Sequence, residues 1–238
     1  MKSFGLTDIG IKRKYNQDYT IECDKPVGNL DNLYIVCDGL GGRNAGEYAS
    51  LTAAEAFFEA VEDSDSRLPL SVFRDACKKV NSRIYSEGRQ PKFSGMATTI
   101  VAATVCGDTV YVTNVGDSRA YIIGDEVTQI TWDHSYVGEL IRSGKITRDE
   151  ARFHEKNNVI MKAIGAESDV EPDYFQAQLE AGEVLLLCTD GLYNMVDERT
   201  IQRVVLARGS LKARVKKLID LANEAGGRDN IGVILVSE

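Results

Sequence analysis

The chain has 238 residues, 43% of them hydrophobic and 27% charged, with a formal net charge of −8; no composition shift divides it, so one globular domain spanning 1–238 is expected. Lysine and arginine gather in no run longer than Lys12-Arg13-Lys14, beside pairs such as Lys216-Lys217, too thinly to hold a phosphate backbone, which excludes nucleic acid as a partner. No apolar stretch nears the roughly 20 residues of a spanning helix, Met1–Asp8 lacks the apolar segment of a signal peptide, and five scattered cysteines without a Cys-x-x-Cys pair read as reduced core residues of a cytoplasmic, membrane-free protein.

In chain order, Leu33–Val36 is a short apolar run that ends in Cys37-Asp38-Gly39 and reads as a buried strand. The glycine-rich stretch after it opens a helix expected over Ala45–Val61, and a second over Leu70–Tyr85 has Pro69 near its start and Gly88 past its end. Strands are expected at Thr98–Val105, Thr109–Val115, Arg119–Ile123 and Val127–Ile130, with Gly107-Asp108 and Gly124-Asp125 as hairpin turns. Asp133–Arg152 is polar and reads as mostly helical, divided by Gly144. A strand at Val184–Cys188 runs into Thr189-Asp190-Gly191, helices follow over Glu198–Leu206 and Leu211–Ala225, and Ile231–Val236 closes the chain as a strand. Helices come in pairs and strands in hairpin series. That order favours antiparallel sheets with helices layered outside over a doubly wound parallel fold.

Four of these runs end or begin at an aspartate: Asp38, Asp117, Asp190 and Asp229. In an antiparallel sheet the start of one strand lies beside the end of its neighbour, so the four carboxylates can meet at one edge. Like charges so placed are costly without positive charge between them, and divalent ions supply it most simply. Carboxylates without Cys or His partners suit magnesium or manganese rather than zinc, and a pair of such ions can activate water and clamp a phosphoryl group. Two nucleotide readings of the glycine stretch fail: Glu47 stands where a P-loop needs lysine, and Asn44 stands in place of the third glycine of a dinucleotide fingerprint. Cys37 and Arg43 have the Cys-x5-Arg spacing of thiol phosphatases, but Asp38 inside that loop would repel the bound anion and raise the thiol pKa.

Seven motif groups in order make the chain resemble the bacterial metal-dependent protein serine/threonine phosphatases of the type 2C class, the PPM family. They are Thr7-Asp8-Ile9-Gly10 with Arg13-x-x-Asn16-Gln17-Asp18, Cys37-Asp38-Gly39-Leu40-Gly41-Gly42 with Gly46-Glu47, Met96-Ala97-Thr98-Thr99, Val115-Gly116-Asp117-Ser118-Arg119, Asp133-His134-Ser135, Thr189-Asp190-Gly191 and Gly227-Arg228-Asp229-Asn230. The resemblance implies an α+β fold, a four-layer α-β-β-α sandwich of two antiparallel sheets flanked by helix pairs, with a small flap inserted at about 135–163. It implies hydrolysis of phosphoserine and phosphothreonine in proteins by a hydroxide bridging two metal ions, opposing a serine/threonine kinase, in a monomeric enzyme. By motif position Asp38 would bridge the metals, the Gly39 carbonyl would ligate one, and Asp190 and Asp229 would complete the shell of the second metal. Asp117, with Asp190, matches a third-ion position; Arg13 matches the arginine that holds the substrate phosphate, Asp18 the acid beside the reacting water, and His154 lies in the flap as a candidate for touching substrate. Two departures stand out. Gln17 replaces the usual glutamate and supports an alternative, a phosphoprotein-binding or regulatory module with weak turnover. Leu40 removes the histidine that serves as general acid in eukaryotic members.

Overall fold

A computed structural model describes residues 1–42, 45–147, 150–151 and 154–238. In chain order these form β1 (Lys2–Asp8), β2 (Asp18–Cys23), β3 (Leu33–Leu40), α1 (Ala45–Glu62), α2 (Pro69–Glu87), β4 (Ala97–Thr98), β5 (Ile100–Cys106), β6 (Thr109–Val115), β7 (Arg119–Ile123), β8 (Val127–Gln129), α3 (Tyr136–Arg142), β9 (Asp173–Gln178), β10 (Val184–Cys188), α4 (Asp190–Tyr193), α5 (Glu198–Val205), α6 (Leu211–Glu224) and β11 (Ile231–Ser237). One sheet has the order β1-β11-β10-β7-β8 and the other β2-β3-β5-β6-β9, with β4 added beside β3. Every pairing is antiparallel.

Side-chain alternation explains the four layers. In β3, Leu33, Ile35 and Cys37 face α1 and α2, while Tyr34 and Val36 face the other sheet. In β10, Val184, Leu186 and Cys188 pack under α5 and α6, while Leu185 and Leu187 join the layer between the sheets. Strands covered on both faces must be apolar at every position, which is why these segments read as unbroken runs. The helices take the complementary surfaces. α1 lies between sheet and α2, and buries ten of its residues, many of them alanines. α2 turns one stripe inward, Val72, Phe73, Ala76, Cys77, Val80 and Ile84. Ser135, Asp197 and Ser210 cap α3, α5 and α6 through backbone N–H groups three residues on.

Three strands, β1, β2 and β9, arise where no strand is expected from the apolar runs. β2 carries a period-two pattern, Tyr19, Ile21 and Cys23 alternating with Asp18, Thr20 and Glu22, which is the signal that would have found it. The helix expected over Asp133–Arg152 is confined to Tyr136–Arg142 in its first piece, ending before Gly144 at φ 69°; Arg148, Asp149 and Arg152 of the second piece lie outside the described residues.

Candidate active site

The sheet pairings carry the acids to one edge of the sandwich. Asp18 stands directly opposite Asp38 in the β2–β3 pair. The turn from β6 to β7 holds Asp117, β10 runs out into Thr189 and Asp190, and Asp229 precedes the first residue of β11. One hydrogen bond stitches the two sheets together there: Thr189 Oγ1 donates to Asp18 Oδ2 at 2.7 Å and accepts from Gly232 N at 2.7 Å.

Neither glycine of the two Asp-Gly dipeptides serves a turn: Gly39 lies within β3 and Gly191 within α4, and neither has a positive φ. A Cβ on Gly39 would overlap the Gly46 carbonyl at the start of α1, and one on Gly191 would overlap the Asn230 carbonyl. Glycine at these positions lets a second backbone close on the acid. That is the common cause of the repeated dipeptide.

The site is crowded with negative charge. Burial, then the charges of Asp18 and Asp190, drives the Asp38 carboxyl well above the usual carboxylate range. Burial also raises Asp18, against the hydrogen bond from Thr189, and raises Asp117, with Asp190 adding to it. Asp190 is pushed up to about 7 by burial and Asp229, which outweigh Arg13 and Arg119. Asp18 Oδ1, Asp117 Oδ1 and Asp190 Oδ1 are buried without a hydrogen-bond partner. Among the described residues, no three His, Cys, Asp or Glu side chains are already drawn round a single point that could hold an ion. The acids are nonetheless close enough to raise one another. Hard anionic oxygens, buried, mutually repelling and partly unpartnered, are what magnesium or manganese binds, so the residues fit such ions.

Arg13 reaches this edge from the loop between β1 and β2. Its Nη2 donates to Asp229 Oδ2 at 2.6 Å, with the Arg13 side chain half exposed and that of Asp229 31% exposed. That hydrogen bond raises the Arg13 pKa against the opposing effect of burial. Asn230 fixes the loop: Nδ2 donates to the carbonyls of Ile9 and Tyr15, both at 2.9 Å, and Oδ1 accepts from Gln17 N. Gln17 itself donates from Nε2 to the Gly41 carbonyl at 3.4 Å, so its amide is spent on the glycine stretch beside α1.

Around Asp117 the support is different. Tyr193 Oη donates to the Asp117 carbonyl at 3.0 Å. Arg119 lies 3.4 Å from the centre of the Tyr193 ring and forks onto both oxygens of Asp133. His134 N donates to the Gly116 carbonyl at 2.9 Å, and its Nδ1 accepts from Gly116 N at 3.1 Å. His134 Nε2 lies 3.1 Å from Asp173 Oδ2 without the alignment of a hydrogen bond, and burial lowers its pKa against the pull of that acid. A cavity of about 420 Å³ opens beside these residues, lined by Arg119, Trp132, Asp133, Tyr193 and Asn194 among others.

Asp18, Asp38, Asp117, Asp190, Asp229 and Arg13 therefore converge, as does the Gly39 peptide between Asp38 and α1. His154 does not join them: its ring packs 5.7 Å from that of Tyr136 and its Nδ1 accepts from Lys156 N. Of the thiol loop, Arg43 lies outside the described residues. Cys37 is fully buried, its thiol pushed well up by burial and then by Asp18 and Asp38. Thr99, Thr189, Asn194 and Asn230 orient the acids but carry no mark in the sequence beyond standing inside or next to motifs.

The chain matches the family model described as protein phosphatase 2C over residues 11–233. It is 37% identical to the serine/threonine phosphatase stp of Listeria monocytogenes, over 97% of this chain and 93% of that protein. Among solved structures it superposes on the serine/threonine phosphatase Stp1 from Staphylococcus aureus with a TM-score of 0.92 at 33% identity, covering 100% of this chain and 94% of that one. It also superposes on the catalytic domain of the serine/threonine protein phosphatase PstP in complex with two manganese ions, with a TM-score of 0.85 at 31% identity, over 98% of this chain and 96% of that one.

Proposed function

We infer that this chain, which belongs to the protein phosphatase 2C family, is a protein serine/threonine phosphatase that releases phosphate from phosphoserine and phosphothreonine in proteins. The observation that supports the chemistry best is the meeting of Asp18, Asp38, Asp117, Asp190 and Asp229, three of them with buried, unpartnered oxygens, beside Arg13.

Asp38, the Gly39 carbonyl, Asp190 and Asp229 would hold two divalent ions, magnesium or manganese, with Asp117 and Asp190 forming a third position. Such ions, when bound, lower the pKa of water and neutralise phosphoryl oxygens. The chain's own groups do the rest. Arg13 offers a half-exposed guanidinium whose planar fork matches the phosphate; the phosphate takes the place of Asp229 Oδ2 as acceptor and is oriented by two parallel N–H donors. Asp18 faces the cluster through Oδ1, with Oδ2 held by Thr189, so Oδ1 is the atom at which it would take a proton from attacking water. Cys37 and Cys188 take no part, and no covalent enzyme intermediate is needed. Leu40 offers no proton to the leaving alkoxide, which leaves that proton to water. His154, on the flap, is the candidate for touching the protein part of the substrate. No described helix is long and apolar enough to cross a membrane. The reading is completed by a cytoplasmic location, a monomeric state and a cognate serine/threonine kinase whose products this enzyme consumes.

The test is phosphate release from a phosphothreonine peptide with and without manganese, run beside a melting curve. Manganese-dependent release and a higher Tm in saturating manganese are expected, the latter because a ligand that binds only the folded state stabilises it. A folded protein that releases no phosphate with any divalent metal, at any pH between the acid and alkaline limits of its stability, overturns the assignment.

A further inference from the structure

Eight large hydrophobic side chains are exposed among the described residues, and six of them lie on three segments that form two banks beside the acid cluster. Ile9, Ile11 and Tyr15 flank Arg13 in the chain. Their loop is fastened to the Asp229 end of the site by Asn230 Nδ2, which donates to the Ile9 and Tyr15 carbonyls, and by Ile11 N, which donates to the Gly227 carbonyl at 2.8 Å. Trp132, Val159 and Met161 belong to the other bank. Asn114 Nδ2 donates to the Trp132 carbonyl at 3.1 Å, Met161 N to the His134 carbonyl at 2.7 Å and Tyr136 N to the Val159 carbonyl at 2.8 Å, while His134 clasps Gly116 next to Asp117. The two banks thus hang on Asp229 and Asp117, and Asp190 links them: Asp229 raises it, and it raises Asp117.

Single exposed hydrophobics need no explanation, but six gathered on segments fastened to the two ends of a row of acids mark a recognition surface. Charge identifies the occupant. In a chain of net charge −8, one bank exposes Lys12, Lys14 and Arg228 and the other Lys156 and Lys162. A polypeptide laid across the site would place the residues next to its phosphorylated side chain on the apolar banks, and its more distant residues among these cations.

We propose that this rim selects phosphorylated segments with a bulky apolar residue on each side of the phosphoresidue and acidic residues farther out. This rests on the phosphatase reading and adds the substrate class to it. Trp132, the only tryptophan in the chain and 51% exposed, reports occupancy directly.

Two experiments decide the matter. In the first, kcat/KM is measured for two phosphothreonine peptides alike except that one has leucine and the other glycine on both sides of the phosphothreonine, each with glutamates outside. The leucine peptide should be preferred about tenfold, which corresponds to partial burial of one apolar side chain on each bank. The preference should appear in KM, and should collapse in the Ile11→Ser/Met161→Ser variant. Both changes are at exposed positions, so the fold is not at stake. In the second, the unphosphorylated leucine peptide, which is not consumed, is titrated while Trp132 emission is followed; a blue shift is expected that the glycine peptide does not produce. Equal hydrolysis of the two phosphopeptides, or emission that the leucine peptide leaves unmoved, overturns the rim while leaving the phosphatase standing. Emission that shifts, with no phosphate released from either phosphopeptide, upholds the rim and overturns the phosphatase.

Discussion

The two Asp-Gly corners look alike in sequence and are built on opposite plans. Asp38 sits inside β3, and what grips it is a set of backbone bonds. Its N–H donates to Thr99 Oγ1 at 3.0 Å, and its carbonyl accepts from Thr98 Oγ1 at 2.8 Å and from Thr99 N at 2.8 Å. Asp190 lies past the end of β10 and opens α4, and there the side chain is steered: Asn194 Nδ2 donates to Oδ2 at 3.1 Å while Oδ1 is buried without a partner. One corner fixes an acid by locking its peptide into a sheet. The other fixes an acid by aiming its carboxylate from a helix turn. A site that must hold several like charges close together gains from the difference, because the strand supplies a rigid floor and the helix turn supplies the aim.

The sharpest way to break the symmetry is Asp38→Asn. With a bridging carboxylate gone, manganese-dependent phosphate release should fall by about a thousandfold or more, roughly 4 kcal/mol of transition-state stabilisation. The same substitution should stabilise the folded protein in chelator at neutral pH. Folded Asp38, Asp18, Asp117 and Asp190 all titrate above their ordinary range, so near neutrality the folded chain binds more protons than the unfolded one. With that sign, stability in chelator is lost as pH rises, including through the value of about 7 reached by Asp190. Asp38→Asn removes one repelling charge, so its Tm should exceed that of the parent at about pH 8 and the two should converge toward pH 5. An equal or lower Tm for the variant at about pH 8 would show that the acids do not repel as argued.

A smaller effect tests what the corners share. Gly39→Ala and Gly191→Ala each place a methyl group into a neighbouring carbonyl, and overpacking of this kind costs about 1–3 kcal/mol in denaturant titrations. Gly42→Ala is the control: a Cβ there would meet nothing within 4 Å among the described residues, and the φ of Gly42 is not positive, so stability should stay within about 0.5 kcal/mol of the parent. If Gly39→Ala and Gly191→Ala are as mild as Gly42→Ala, close backbone approach is not the reason for the repeated dipeptide.

Much of this was legible in the chain because doubly covered strands must be apolar throughout. Leu33–Val36, Val184–Cys188 and Ile231–Val236 announced themselves, and the acids at their ends followed from antiparallel neighbourhood. Three of the four edge strands, β1, β2 and β9, were not legible in the same way. In β1 every residue is exposed or half-buried, and in β9 no residue is fully buried, so neither makes an apolar run. β2 was legible by alternation alone. What no local pattern could supply is the set of contacts across long sequence separations: Arg13 on Asp229, 216 residues apart, Thr189 on Asp18, 171 apart, and the hold of Asn230 on the Arg13 loop. These depend on which loops the two sheets bring to one edge.

The smallest effect should come from the cysteines that precede the corners. Cys37 stands directly before Asp38, whereas Thr189 separates Cys188 from Asp190. The sequence spacing invites a nucleophilic role for the first alone; the packing treats both alike. Cys37 points into the layer under α1 and α2, Cys188 into the layer under α5 and α6, and both are fully buried. Burial, then Asp18 and Asp38, pushes the Cys37 thiol far up, and burial pushes Cys188 to about 12, so neither presents a thiolate near neutrality. Cys37→Ser and Cys188→Ser should therefore both keep kcat/KM within about twofold of the parent, since neither side chain touches the reacting atoms. Each should lower stability by about 1–2 kcal/mol, the cost of placing a hydroxyl in an apolar layer. The decisive comparison is between them: equal, slight effects on turnover assign both cysteines to packing. Loss of turnover in folded Cys37→Ser, with Cys188→Ser active, would mean that the strand corner carries chemistry of its own and that its thiol, rather than its carboxylate, is the reacting group.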